Sequence, residues 1–134
     1  MSLNPLQVLL LTAYPTETIL EASLRKSQDL QIAGVVPTCL AAMAFIDLKL
    51  PDLFIFDIEL QGSECINLAN ALEHRRIPFL VYSTASSDLA GLDEAFHKAA
   101  WFGKPGRTDE LVAIIKAAAA FGRHARNFMV PIPA

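Results

Sequence analysis

The heptapeptide PDLFIFD, residues 51–57, decides how the rest of the chain must be read. Pro51 and Asp52 break whatever precedes them, and Leu53, Phe54, Ile55 and Phe56 follow without a polar interruption. A half-exposed strand alternates apolar and polar residues, whereas an unbroken apolar run of this length reads as a strand buried on both faces. Such a strand belongs in a parallel sheet with helices on each side, and each parallel step needs a crossover connection. Asp57 closes the run, so its carboxylate is expected to emerge at the sheet edge rather than in the core.

The same alternation of strand-length apolar runs and helical periodicity extends in both directions. Upstream, LQVLLL (6–11) is a first strand, and residues 16–27 place Ile19, Leu20, Ser23 and Leu24 on one helical face. QIAGVV (31–36) is a weaker second strand, after which Pro37 and Thr38 open a helix carrying Leu40, Met43, Ala44 and Leu48. Downstream of Asp57, a polar turn over 59–63 precedes a helix with Ile66, Ala69 and Leu72 in register. Pro78 starts a fourth strand over 79–82. Ser86, Ser87 and Asp88 mark a helix start, with Leu89, Leu92 and Phe96 at helical spacing. Residues 99–102 form a short fifth strand, and Thr108 caps a last helix whose inner face is read as Leu111, Ile114, Ile115, Ala118 and Phe121. The pattern is α/β, one doubly wound (βα)5 domain.

Composition agrees with a single packed domain and removes several functions. The chain has 134 residues, 53% of them hydrophobic and 19% charged, with a mean hydropathy of +0.37. Disorder is excluded by that balance. The formal net charge is −3, and no basic run is longer than Arg25-Lys26 or Arg75-Arg76, so direct nucleic-acid binding is not expected. No apolar run approaches the length of a membrane span. No positive charge precedes Arg25 and no cleavage pattern follows the apolar start, so a cytoplasmic protein is expected. Cys39 and Cys65 show no CxxC spacing and are expected to be free thiols, neither bridged nor bound to zinc. His74, His97 and His124 are scattered among cationic residues and make poor metal ligands.

In doubly wound sheets ligands sit outside the carboxyl ends of the strands. Those ends are Thr12-Ala13, Asp57, Ser83-Thr84 and Lys104-Pro105. A carboxylate, a hydroxyl and an ammonium would converge there. A carboxylate is a competent nucleophile toward a phosphoryl group, and a hydroxyl with a lysine binds phosphoryl oxygens and offsets their charge.

At this point the chain resembles the receiver domain of two-component response regulators, over residues 5–122. The resemblance rests on PDLFIFD (51–57), IPFLVYS (77–83) and GKP (103–105), in that order and separation. It implies a flavodoxin-like five-stranded parallel sheet of order 2-1-3-4-5, with residues 123–134 as a tail or the start of a linker. It also implies Asp57 as phosphoacceptor, Ser83 as the hydroxyl that moves onto the phosphoryl group, Lys104 as the sensing lysine and Trp101 as the switch aromatic. The implied partner is a histidine kinase or phosphotransfer protein. A homodimer would use the face of the fourth helix, fifth strand and fifth helix.

The chain departs from the family pattern where the metal should be. The family holds Mg²⁺ with the acceptor and an acidic pair after the first strand, but Thr12 and Ala13 occupy those places. Asp57 and Glu59 remain as the metal-ligand candidates, and Glu17 lies a turn too late in the first helix. Gln61 and Cys65 stand where the family often has Pro and Gly, and Thr84 is bulkier than the usual small residue. Two functions follow: a phosphorelay receiver, at most slowly self-phosphorylating and not an enzyme in the ordinary sense, or a pseudo-receiver serving as a phosphorylation-independent interaction module. A haloacid-dehalogenase-type phosphatase is disfavoured by Glu59 and Gln61 at its motif positions. A flavodoxin-type cofactor binder is disfavoured by the glycine-free segment after the first strand.

Overall fold

The computed structural model describes residues 4–12, 19–57, 62–83, 100–103 and 108–127. Within them the chain forms β1 (Leu6–Thr12), α1 (Ile19–Lys26), β2 (Leu30–Val36), α2 (Cys39–Leu48), β3 (Leu53–Asp57), α3 (Gly62–His74), β4 (Phe79–Ser83), β5 (Ala100–Gly103) and α4 (Thr108–Asn127). Labels count the described elements, so the final helix is α4; the helix expected over 86–96 lies outside the described residues. The strands make one parallel sheet in the order β2-β1-β3-β4-β5.

Strand pleating divides the apolar residues between two cores. On one face Leu9, Leu11, Phe54, Phe56 and Val81 pack with Ala42 and Ile46 of α2 and Leu68, Ala69 and Leu72 of α3. On the other, Val8, Leu10, Leu53, Ile55 and Leu80 pack with Leu20 and Leu24 of α1 and Leu111, Ile115 and Ala119 of α4. Every residue of β3 is buried, which is what an apolar strand at the centre of a two-faced sheet requires. The Phe56 ring packs tilted against Phe54 and edge-to-face against Phe79, at centroid distances of 4.7 and 5.6 Å.

Edge strand β2 carries a bulge. Val8 pairs with Ile32 but Leu9 pairs with Gly34, leaving Ala33 as the extra residue. A side chain at Gly34 would meet the Phe45 ring at 2.7 Å, so the glycine lets α2 close onto the strand. The N-terminus of α2 is capped by Thr38, whose Oγ1 accepts from the Ala41 amide at 3.0 Å. At the end of α3, Arg76 takes a left-handed φ of 57°. Its amide donates to Glu73 O, and that of Ile77 to Leu72 O. This is the Schellman arrangement that ends a helix and turns the chain into the next strand.

Four expectations are corrected. First, Cys39 and Cys65 are joined as a disulfide, with Cα atoms 5.1 Å apart. Both α2 and α3 start at the carboxyl end of the sheet and lie on one face, which brings together positions 26 apart in sequence. A loop of that size removes about 3 kcal/mol of chain entropy from the unfolded state. Second, α2 points Cys39, Ala42 and Ile46 inward and leaves Leu40 and Leu48 exposed at 66% and 90%; a helix apolar on all sides cannot be phased by periodicity. Third, α4 buries Leu111, Ile115 and Ala119, while Ile114 and Phe121 face outward. In α1, likewise, Ile19 is exposed. Fourth, α4 runs through Asn127, so Arg123 belongs to the folded unit rather than to a tail.

The rotation of α4 has an electrostatic cause at the amino end of the sheet. Asp52, 3% exposed, accepts from Arg123 Nη2 at 2.7 Å and Nε at 3.3 Å, and from the Gln7 amide at 2.7 Å. The same guanidinium donates to the carbonyls of Asn4 and Pro5 at 2.7 and 2.8 Å. Beside it, a Cβ on Gly122 would overlap the Asp52 carbonyl oxygen and meet Pro78 Cδ at 2.7 Å. The helix thus approaches backbone to backbone, with its charge satisfied by a fork that only arginine supplies. Arg123→Ala should cost about 3 kcal/mol in urea unfolding with an unchanged slope, as expected when one partner of a buried pair is removed. Arg123→Lys should recover less than half of that, because an ammonium cannot span both carboxylate oxygens and two carbonyls.

Candidate functional site

The carboxyl end of the sheet is built by strands of unequal length that finish side by side. In register, Thr12 at the end of β1 pairs with Asp57 at the end of β3. On the other side of β3, Phe56 pairs with Val81, two residues before Ser83, and Ser83 pairs with Gly103. Trp101 lies on β5 opposite Val81. Asp57, Thr12, Ser83 and Gly103 therefore stand on four adjacent strands at one end of the sheet, and Gly103 is the residue before Lys104.

Asp57 is only 2% exposed and Thr12 3%. The expectation of an emergent carboxylate is corrected to that extent: the aspartate terminates the strand but is enclosed. An enclosed carboxylate is costly unless its charge is met by donors or counter-charge, which makes this the polar focus of an otherwise apolar sheet. Lys104, Glu59, Ala13, Glu17, Gln61 and Thr84 lie outside the described residues. Ser83 and Trp101 are placed by their backbone only.

Of the two metal-ligand candidates, Asp57 ends β3 and Glu59 lies outside the described residues. Mg²⁺ demands near-octahedral oxygen ligation and is held by one or two carboxylates with substrate phosphate and retained waters. Next to Asp57 stands the neutral hydroxyl of Thr12, and the residue after it, Ala13, has no side-chain donor. Among the described residues no group of three or more His, Cys, Asp or Glu comes together.

One feature of this end was invisible to motif reading. Cys39 is the first residue of α2 and Cys65 lies in the first turn of α3, the helix entered from Asp57. The only sequence signal for their pairing is that each opens a helix after an adjacent-but-one strand. The exposed residues of α4 include Ala113, Ile114, Ala117, Ala120 and Phe121, a small-residue stripe with two large apolar side chains.

No family model matches the chain, and no curated protein does. Solved structures match over nearly its whole length. SdrG from Pseudomonas melonis Fr1, in its BeF3-activated conformation, is 27% identical, with a TM-score of 0.64 over 84% of this chain and 93% of that one. The response regulator domain of Thermotoga maritima CheB is 22% identical, with a TM-score of 0.66 over 87% and 98%. A LuxR-family two-component response regulator from Aurantimonas sp. SI85-9A1 is 19% identical, with a TM-score of 0.69 over 88% and 87%. The chain has the fold of response-regulator receiver domains.

If Thr12 and Ala13 are what deprive the site of a cation, restoring them should restore binding. Thr12→Asp/Ala13→Asp should bind Mg²⁺ at least about tenfold more tightly than the natural sequence, since affinity follows the number of carboxylate ligands. Isothermal titration reads this directly, and equal heats for the two proteins would show that the pair is not the deficit.

Proposed function

We propose that the chain is a receiver domain of a two-component phosphorelay, with Asp57 as its phosphoacceptor. The observation that carries this reading is the enclosed aspartate ending the central strand. It is flanked by the strand ends that bear Thr12 and Ser83 and, one residue further on, lead to Lys104. The fold shared with receiver domains supports it.

In the proposed reaction a carboxylate oxygen of Asp57 attacks the phosphorus of a phosphohistidine on a kinase or phosphotransfer protein. The P–N bond breaks, the imidazole leaves, and an acyl phosphate forms on Asp57. Ser83 and Lys104 bind the phosphoryl oxygens, the lysine offsetting charge that Thr12 cannot. Drawing these two strand ends toward the phosphoryl group alters the surface of β4, β5 and α4, where a partner would read it. The output is a change of affinity, so the protein is a signalling module rather than an enzyme with a released product. None of the described helices is long and apolar enough to cross a membrane.

A second reading draws on Thr12 and the exposed face of α4. A pseudo-receiver would keep the fold, lose efficient phosphorylation and dock a second copy or another protein through Ile114, Phe121 and the alanines between them. The two readings separate in one assay. The full chain incubated with acetyl phosphate and Mg²⁺ should gain one phosphoryl group by intact mass, and Asp57→Asn should gain none. No gain in a sample that melts cooperatively, repeated with a phosphohistidine donor, would select the pseudo-receiver and move attention to α4.

A further inference from the structure

The Cys39–Cys65 bond lies outside the phosphoryl chemistry yet next to it. Cys65 is in the opening turn of α3, the first element after Asp57, and Cys39 opens α2 on the same face of the sheet. The bond therefore ties together two strand-to-helix junctions at the functional end. Both residues sit in a cluster with Leu9, Leu11, Ile46, Phe54, Phe56, Leu68 and Leu72, in which reduced cysteines can pack as small apolar side chains. What the bond does control is the start of α3. That helix begins with Gly62 and Ser63, poor helix formers with little local preference to stay wound.

We propose that Cys39 and Cys65 form a reversible redox latch on the junction that follows Asp57. Closed, the latch fixes the first turn of α3 to α2; open, it releases that turn while the sheet and both cores stay folded. Its effect on signalling rests on Asp57 being the acceptor, five positions before Gly62, the first residue of α3. Where the surroundings are reducing, such a bond is mostly transient and redox-sensing rather than permanent.

The chemistry balances as thiol–disulfide exchange. A thiolate of a dithiol reductant attacks one sulfur of the Cys39–Cys65 bond, which breaks as a mixed disulfide forms. The second reductant thiolate then displaces the remaining cysteine. Two electrons pass from the dithiol, which ends as a disulfide, and its two protons end on Cys39 and Cys65. Closing is the reverse, with a glutathione-type disulfide as oxidant. Both cysteines are nearly enclosed, at 4% and 5% exposure, so exchange proceeds through opening of the first turn of α3.

The test compares the full chain oxidised with glutathione disulfide, the same chain reduced with dithiothreitol, and Cys39→Ala/Cys65→Ala. Alkylation should find two thiols only after reduction, and all three samples should melt cooperatively. Amides of residues 62–66 should exchange with deuterium about tenfold faster or more when reduced, as local opening predicts, while β1 and β3 stay protected. The double variant should match the reduced protein under both conditions. Acetyl phosphate should label Asp57 at clearly different rates in the two states. Two alkylatable thiols persisting in the oxidised sample, loss of cooperative melting on reduction, or identical exchange at 62–66 would each overturn the latch. Equal labelling rates would overturn its link to Asp57. An exchange difference with no labelling in either state would uphold the latch and defeat the acceptor reading instead.

Discussion

Everything in this structure depends on β3 being covered on both faces. A strand of Leu53, Phe54, Ile55 and Phe56 cannot show either side to water without exposing aromatic and branched surface at roughly 25 cal/mol per Å². Covering both sides requires helices on both, and helices on both require parallel crossovers. The loops that follow the strands then collect at one end. Asp57 is placed at that end by the burial of the residues before it, not by any preference of its own.

β3 is bracketed by two enclosed carboxylates, Asp52 before it and Asp57 at its end, and the contrast between them separates structure from chemistry. Asp52 lies at the amino end, where no ligand site forms in a doubly wound sheet, and is met by a two-point guanidinium fork and a backbone amide. Its charge is consumed in seating α4. Asp57 lies at the carboxyl end beside a neutral threonine, with a serine and a lysine at the following strand ends. Composition alone treats the two aspartates alike; topology places them at opposite ends of β3.

The sheet, its order and the strand-end residues were legible because strand burial leaves an unbroken apolar signature, and because the ordered segments at 51–57, 77–83 and 103–105 constrain one another. The helix faces were less legible. In α2 nearly every residue is apolar, so Leu40 and Leu48 could be mistaken for core when Ala42 and Ile46 are. In α4 the inward face is set by Arg123 reaching Asp52 from 71 positions away, and Gly122 clears the path; no local pattern carries that. The disulfide was missed for a related reason. Spacing rules find cysteines that are close in sequence, whereas Cys39 and Cys65 meet because two crossovers land on one face of the sheet.

The departures from the receiver pattern gather at one place. Thr12 stands at the end of β1 where the family has an acidic residue, and Cys65, where the family often has Gly, lies in the first turn of the helix after Asp57, bonded to Cys39 at the start of α2. None of these changes touches the apolar residues of β3 or the Asp52–Arg123 seat, which hold the fold. A sheet specified by burial and by one charge pair at its amino end leaves its carboxyl end free to change chemistry without refolding. A covalent restraint on the helix that follows Asp57 is one such change. Thr12 pairs with Asp57 in the sheet and Cys65 lies in the first turn of the helix that follows it, so the surroundings of Asp57 differ from the family pattern while its position at the end of the central strand does not.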